Sequence, residues 1–226
     1  TRRSSDLTYL KEGEIFAFGM SEKEHGADLY SNEMKLSPVG NGAYRADGNK
    51  YYIGNCNRAR MISTFGKKSD TGEWIFFYAD SQHRCTKQVK ETTCTGGHSA
   101  YVGEFELIDY PVSKNEILSE GEQAWADALS AINIGKFQLG FSSCGICEHA
   151  FYEALTHSHN RRLYNKMRVT DFPHIRKAYN EAFVRINMMK LYALRSLDYF
   201  RSMNDNDRRY LLLNPIQKSK VTMEEI

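Results

Sequence analysis

The chain has 226 residues, of which 41% are hydrophobic and 26% charged, the balance of a globular protein that can bury a core without disulfide or metal crosslinks. Its formal net charge of +2 is too small to indicate nucleic acid as the main partner. Five cysteines are an odd number for a secreted disulfide framework, and no apolar run approaches the ~20 residues of a membrane span. We therefore expect a soluble, cytoplasmic protein with reduced thiols.

The first half of the chain has the pattern of short strands separated by turns. We predict strands at 14–20, 34–39 and 43–46, the last two joined through Asn41-Gly42, because Asn-Gly adopts the positive φ angles of a tight hairpin turn. Asp47-Gly48 predicts a second turn before a strand at 50–53. Further strands are expected at 60–65, 74–78 and 100–108. Short strands at this spacing predict an antiparallel β-sandwich or barrel.

From about Gly121 the apolar residues recur at helical spacing. A long first helix is followed by a second that begins near Thr170-Asp171, with Pro173 in its first turn, where the missing N–H is harmless. A third helix is expected to begin at Asn214-Pro215, a cap followed by proline. Long helices with short links predict an up-down bundle. The chain is thus an α+β protein of two domains, a β-domain at 1–118 and a helical bundle at 119–226.

Four histidine and cysteine residues fall within a short stretch, but their spacing argues against a zinc site. A structural zinc site usually contains a close Cys-x₂₋₄-Cys pair, which is missing from the set His83, Cys85, Cys94 and His98. Ordinary half-buried thiols are the better interpretation, and no metal is predicted. Cys144-x-x-Cys147 lies inside the first long helix rather than at a helix N-terminus, which favours core packing over redox chemistry. The sequence has neither a Gly-x-Ser-x-Gly elbow nor a Gly-x-Gly-x-x-Gly dinucleotide fingerprint.

Four ordered segments resemble the acyl-CoA dehydrogenase family. Residues 18–28 (FGMSEKEHGAD) resemble that family's Thr-Glu-Pro-x-x-Gly-Ser-Asp segment, and residues 47–55 (DGNKYYIGN) its Asn-Gly-x-Lys-x-Trp-Ile-Thr-Asn segment. Residues 132–136 fall where the family carries an acidic residue and an arginine in a long helix, and residues 160–164 resemble its Arg-x-x-Phe turn. The resemblance extends from about residue 9 to 220. It implies the middle β-domain and the first helices of the C-terminal bundle, so we expect the chain to be truncated at both ends.

The resemblance also implies a function, an FAD-dependent dehydrogenase that removes hydrogen from the α and β carbons of an acyl-CoA thioester. It implies cofactor-binding roles for Met20, Ser21, Tyr52, Ile53, Gly54 and Arg161, and substrate-binding roles for Ala27, Asn133 and Lys136. The catalytic base is expected beyond Ile226. Implied partners are acyl-CoA, an electron-transfer flavoprotein and further copies of the chain, as a homodimer or homotetramer.

Two other functions remain open on the same scaffold. One is a flavin oxidase or monooxygenase, since oxygen reactivity depends on solvent access to the flavin. The other is a degenerate, non-catalytic module that binds acyl groups or supports assembly. Ala27 stands where the family carries serine and Gly54 where it carries threonine, and these two lost hydroxyls favour the non-catalytic alternative.

Overall fold

A computed structural model describes residues 4–95, 100–204 and 209–224, with side chains from residue 8 onward. The chain divides into two compact units, Thr1–Leu129 and Ser130–Ile226. The first contains the strands and the start of a long helix, and the second contains the rest of that helix and two more. None of the helices in the described ranges combines the length and hydrophobicity that a bilayer span requires.

The β-unit is built on one mixed sheet. Its elements in chain order are α1 (Ser4–Lys11), β1 (Phe16–Gly19), β2 (Lys35–Gly40), β3 (Ala43–Gly54), β4 (Met61–Lys68), β5 (Trp74–Asp80), β6 (Thr86–Thr92), β7 (Val102–Val112) and β8 (Ile117–Glu120). The strand order is β6-β7-β3-β2-β4-β5-β8, with β1 paired to β4. The pairs β1–β4 and β2–β4 are parallel, and the other pairs are antiparallel.

Alternating burial along the strands produces the core of the β-unit. β5 alternates between buried and half-buried positions along its whole length, as expected for a strand with one face on the core. The largest fully buried side chains in this core are Tyr110, Phe77, Phe105, Met34, Leu36, Ile53, Ile62, Ile75 and Leu107. A β-domain followed by helices is the predicted fold, and the structure confirms it.

The predicted hairpin between β2 and β3 is confirmed, since Asn41 and Gly42 have φ angles of 54° and 72°. The second predicted turn is wrong, because Asp47 and Gly48 lie inside β3. At Gly48 the sheet register shifts, and a Cβ there would lie 2.8 Å from the Cα of Met34. Glycine is therefore required by close backbone approach rather than by a chain reversal. Three elements were not predicted from the sequence: α1, the largely exposed strand β6, and β8.

Among the described residues, the helices after the sheet are α2 (Gly121–Asn160), which begins in the first unit, α3 (Pro173–Arg201) and α4 (Tyr210–Glu224). The short 3₁₀ turns of the chain lie at Leu29–Ser31, Tyr164–Lys166 and Val169–Asp171. Pro173 lies in the first turn of α3, as predicted, but the predicted start at Thr170-Asp171 is wrong, because those residues belong to the preceding 3₁₀ turn and the N-cap is Phe172. The start predicted for the third helix is wrong, because α4 begins one turn earlier and contains Pro215. Asn214 is therefore buried inside the helix rather than capping it.

The three helices pack through an apolar layer, with a glycine at one point of close approach. An apolar layer joins Cys144, Met189, Ala193 and Val221, with Cys147 against it, which confirms the packing role expected for the Cys144-x-x-Cys147 pair. Gly140 of α2 approaches α4 so closely that a Cβ would lie 3.1 Å from Cγ of Gln217.

Candidate functional site

The first family-like segment leaves β1 and turns into a loop of residues 20–28. Met20, its first residue, is buried against Phe65, Ala124 and Ala128. Its side chain therefore belongs to the core, and only its backbone could meet a ligand. Ser21 is half-buried and Ala27 is exposed. The loop ends at Asp28, whose carboxylate accepts hydrogen bonds from the Tyr30 N–H at 3.1 Å and the Ser31 hydroxyl at 2.5 Å.

A buried ion pair joins this loop to β3. Nζ of Lys50 lies 2.8 Å from Oε1 of Glu22, and the Lys50 side chain has no exposed surface. The same carboxylate accepts the backbone N–H groups of Glu33 at 2.6 Å and Met34 at 3.1 Å. Burial lowers the pKa of Lys50 from 10.5 to about 8, and the neighbouring Glu22 carboxylate opposes that change. Because each charge has several partners, the pair can be accommodated in the core.

The second family-like segment is the end of β3, where the strand contains a bulge. The register with β7 shifts between Lys50 and Ile53, and Tyr52 has a φ of 61°, rare for a bulky residue. As a result the Tyr52 ring is 54% exposed, and its hydroxyl lies 3.4 Å from Sγ of Cys94. Backbone strain of this kind concentrates at functional sites.

Ile53 and Gly54 differ sharply in their surroundings. The Ile53 side chain is 2% exposed and belongs to the core, so a cofactor-binding role at this position would fall to its backbone. Gly54 is exposed, and a Cβ added there would meet no atom within 4 Å. The Tyr51 N–H donates to the Ser21 carbonyl at 2.9 Å. The fold therefore brings the two segments together.

The remaining predicted site residues belong to the helical unit. Asn133 is buried, and its amide Nδ2 has no hydrogen-bond partner in the described part of the chain. Lys136 is half-buried on α2. Arg161 directly follows the last residue of α2 and is exposed, and its carbonyl accepts the Val169 N–H at 3.2 Å. Asn133 and Lys136 lie on the same helix within one turn, and Arg161 lies more than 20 residues further along the chain.

No metal site is found among the residues that the structure describes, since no three His, Cys, Asp or Glu side chains lie close enough together to hold an ion. All five cysteines are free thiols, Cys85 and Cys94 being half-buried. His98, one of the four residues weighed as a zinc ligand, lies outside the described residues.

The residues present at the joined segments fit a flavin ring. Neither Ser21 nor Glu22 donates its backbone N–H to any other described residue, which leaves two donors for a ligand. An exposed aromatic ring at Tyr52 and open space at Gly54 lie at the end of the adjoining strand. Flavin rings take stacking contacts on their faces and hydrogen bonds at their edges. The Glu22–Lys50 ion pair was not predicted from the sequence. Its only sign there is a lysine in the middle of a strand rich in aromatic residues.

No protein-family model matches this chain. Over 165 residues it is 26% identical to the short-chain-specific acyl-CoA dehydrogenase of Megasphaera elsdenii, a match that covers 71% of this chain and 43% of that protein. The structure of butyryl-CoA dehydrogenase from M. elsdenii superposes with a TM-score of 0.85 at 19% identity, covering 97% of this chain and 58% of that one.

A glutaryl-coenzyme A dehydrogenase in its glutaryl-CoA complex also superposes, with a TM-score of 0.85 at 16% identity over 99% of this chain and 58% of that one. The chain thus spans roughly half the length of the proteins that it matches. The resemblance to acyl-CoA dehydrogenases is confirmed, and the fold is that of their middle and C-terminal domains.

Proposed function

We propose that this chain is the flavin-binding part of an FAD-dependent oxidoreductase that dehydrogenates an acyl-CoA thioester between its α and β carbons. The observation that carries the proposal is the joining of Ser21 and Tyr51 by a 2.9 Å hydrogen bond. This bond places two free backbone donors beside the strand end that carries an exposed aromatic ring. Bound FAD would supply the hydride acceptor, which no amino-acid side chain provides.

In this proposal the residues of the chain bind and orient the cofactor. The N–H groups of Ser21 and Glu22 donate to the ring edge, where negative charge accumulates on reduction. The exposed ring of Tyr52 would supply a stacking surface for the flavin, and the backbone N–H of Gly54 would supply a further hydrogen-bond donor. Arg161 has a guanidinium that forms no ion pair with the described residues, and its planar fork suits a pyrophosphate.

We also propose that the chain assembles with further copies of itself through the helical unit. Large apolar side chains on α3 and α4 face solvent, with exposed fractions of 65% for Met188, 66% for Leu191 and 70% for Met223. Exposed apolar surface of this extent is typical of an interface. We also propose a cytoplasmic location, because the five thiols are free. The proposed electron acceptor is an electron-transfer flavoprotein.

The visible absorption spectrum of the purified intact protein, recorded with and without added FAD and acyl-CoA, tests the function. The proposal expects flavin bands that bleach when acyl-CoA is added under anaerobic conditions. Recovery of the bands in air with formation of hydrogen peroxide would instead identify an oxidase.

A non-catalytic module is the second candidate, favoured by the absence of side-chain hydroxyls at Ala27 and Gly54. It predicts no flavin bands even after reconstitution with excess FAD. That result, obtained on a folded protein, would refute the assignment as a flavin enzyme.

A further inference from the structure

The loop segment Met20–Glu22 is fastened to β3 through its oxygen atoms. Nζ of Lys50 donates to the Met20 carbonyl at 3.3 Å and to Oε1 of Glu22 at 2.8 Å. The Tyr51 N–H donates to the Ser21 carbonyl at 2.9 Å. Two successive carbonyls of the loop are therefore held toward the same strand, one by a side chain and one by the backbone.

The direction of these carbonyls determines the direction of the next N–H groups. All described peptide bonds are trans, and in a trans peptide the C=O and the N–H point in opposite directions. Since the Met20 carbonyl faces Lys50, the Ser21 N–H points away from it. Since the Ser21 carbonyl faces the Tyr51 N–H, the Glu22 N–H points away from β3. Neither N–H finds an acceptor within the described ranges.

We infer that Lys50 is a positioning residue, which holds the Met20 carbonyl and so turns the Ser21 backbone N–H group outward to donate to the flavin edge, while the Tyr51 N–H does the same for the Glu22 N–H. The inference deepens the proposed function and rests on it. Lys50 itself has no exposed surface, so it cannot touch the cofactor and acts only through the peptide that it holds. Its partner Glu22 fixes the ammonium by a second hydrogen bond and balances its charge.

The consequence for a flavin is a change in its reduction potential as well as in its affinity. Donors that are oriented before reduction stabilise the charge that develops on the ring without further rearrangement. When the Met20 carbonyl is released, the following peptide can rotate, and the donor is no longer held in place. The bound FAD should then be harder to reduce, and its dissociation constant should rise about tenfold for the loss of one oriented hydrogen bond.

The test compares Glu22→Gln/Lys50→Met with wild type in the intact protein. The double substitution removes the ammonium and the carboxylate together, so it leaves the net charge near the site unchanged and avoids an unpaired buried charge. If Glu22→Gln/Lys50→Met does not fold, Glu22→Gln/Lys50→Leu is used for the same measurements. The matched control is Ile75→Val, a fully buried position of β5, which perturbs the same core without touching the loop.

Three measurements are made: the FAD dissociation constant, the reduction potential of the bound flavin, and amide hydrogen exchange at Tyr51 without FAD. We expect the double variant to show weaker FAD binding, a lower potential and faster exchange at Tyr51. The Ile75→Val control should keep the wild-type potential and affinity.

A folded double variant with the wild-type potential and affinity would overturn the role of Lys50 while leaving the proposed function intact. An Ile75→Val variant that lowers the potential equally would also overturn it, because the effect would then follow from core stability alone. Failure of the wild type to bind FAD would overturn the proposed function and this inference together.

Discussion

Gly54→Thr places a hydroxyl at a position where the resemblance to acyl-CoA dehydrogenases implies threonine, and we expect it to accelerate flavin reduction. Gly54 ends β3, pairs with Val102 of β7, and has no atom within 4 Å of an added Cβ. Threonine therefore introduces no clash, and the backbone N–H is retained. A single oriented donor in a preorganised site contributes about 3 kcal/mol to the transition state, which corresponds to a rate increase of about a hundredfold.

The assay is the rate of flavin bleaching by a series of acyl-CoA thioesters, with the FAD content measured in parallel. Gly54→Val is the matched control, since valine has the shape of threonine without the hydroxyl. Both substitutions should raise the free energy of unfolding by about 0.4–1 kcal/mol, because a side chain restricts the unfolded chain at a position without steric conflict. Only threonine should accelerate bleaching.

Loss of FAD from Gly54→Thr, or bleaching slower than wild type with every acyl chain, would refute this reasoning. Either result would mean that the open space beside Gly54 is needed by the cofactor or the substrate. Equal acceleration by Gly54→Val would show that bulk, and not a donor, is responsible.

Further predictions concern the cofactor, assembly, packing and pH. Arg161→Ala should weaken FAD binding more than Arg161→Lys does in a titration, because lysine keeps the charge and loses only the bidentate fork; equal affinities in all three proteins would exclude Arg161. Light scattering of the intact protein should give a homodimer or homotetramer, and a monodisperse monomer would contradict this. Gly140→Ala should lower the free energy of unfolding by about 1–2 kcal/mol in denaturant titrations because the new methyl group meets side-chain and backbone atoms of Gln217, and Gln217→Ala in the same chain should relieve the part of that loss that comes from the side chain. Because the pKa of Lys50 is lowered to about 8, the unfolded chain binds more protons than the folded chain between pH 8 and 10.5. The free energy of unfolding should therefore rise with pH there, relative to Glu22→Gln/Lys50→Met, and parallel curves would contradict the lowered pKa.

The sequence by itself determined most of the local structure, because that structure depends on near neighbours in the chain. Asn41-Gly42 favours a hairpin turn between strands, and proline fits a helix best in its first turn, which is where Pro173 lies. The change from strand-like to helical periodicity near Gly121 placed α2 correctly. The same local motifs carried the resemblance to acyl-CoA dehydrogenases.

The tertiary structure alone decided which distant residues meet. Glu22 and Lys50 are 28 positions apart, and their pairing depends on the loop after β1 lying over β3. The role of Gly48 depends on Met34, the residue just before β2, because the backbone approaches Met34 too closely there for any side chain at position 48. In the helical unit, the sequence predicts Asn214 as a helix N-cap, but Asn214 lies inside α4 and is fully buried. In each case the residue type is compatible with several local structures, and packing against residues distant in sequence selects one of them.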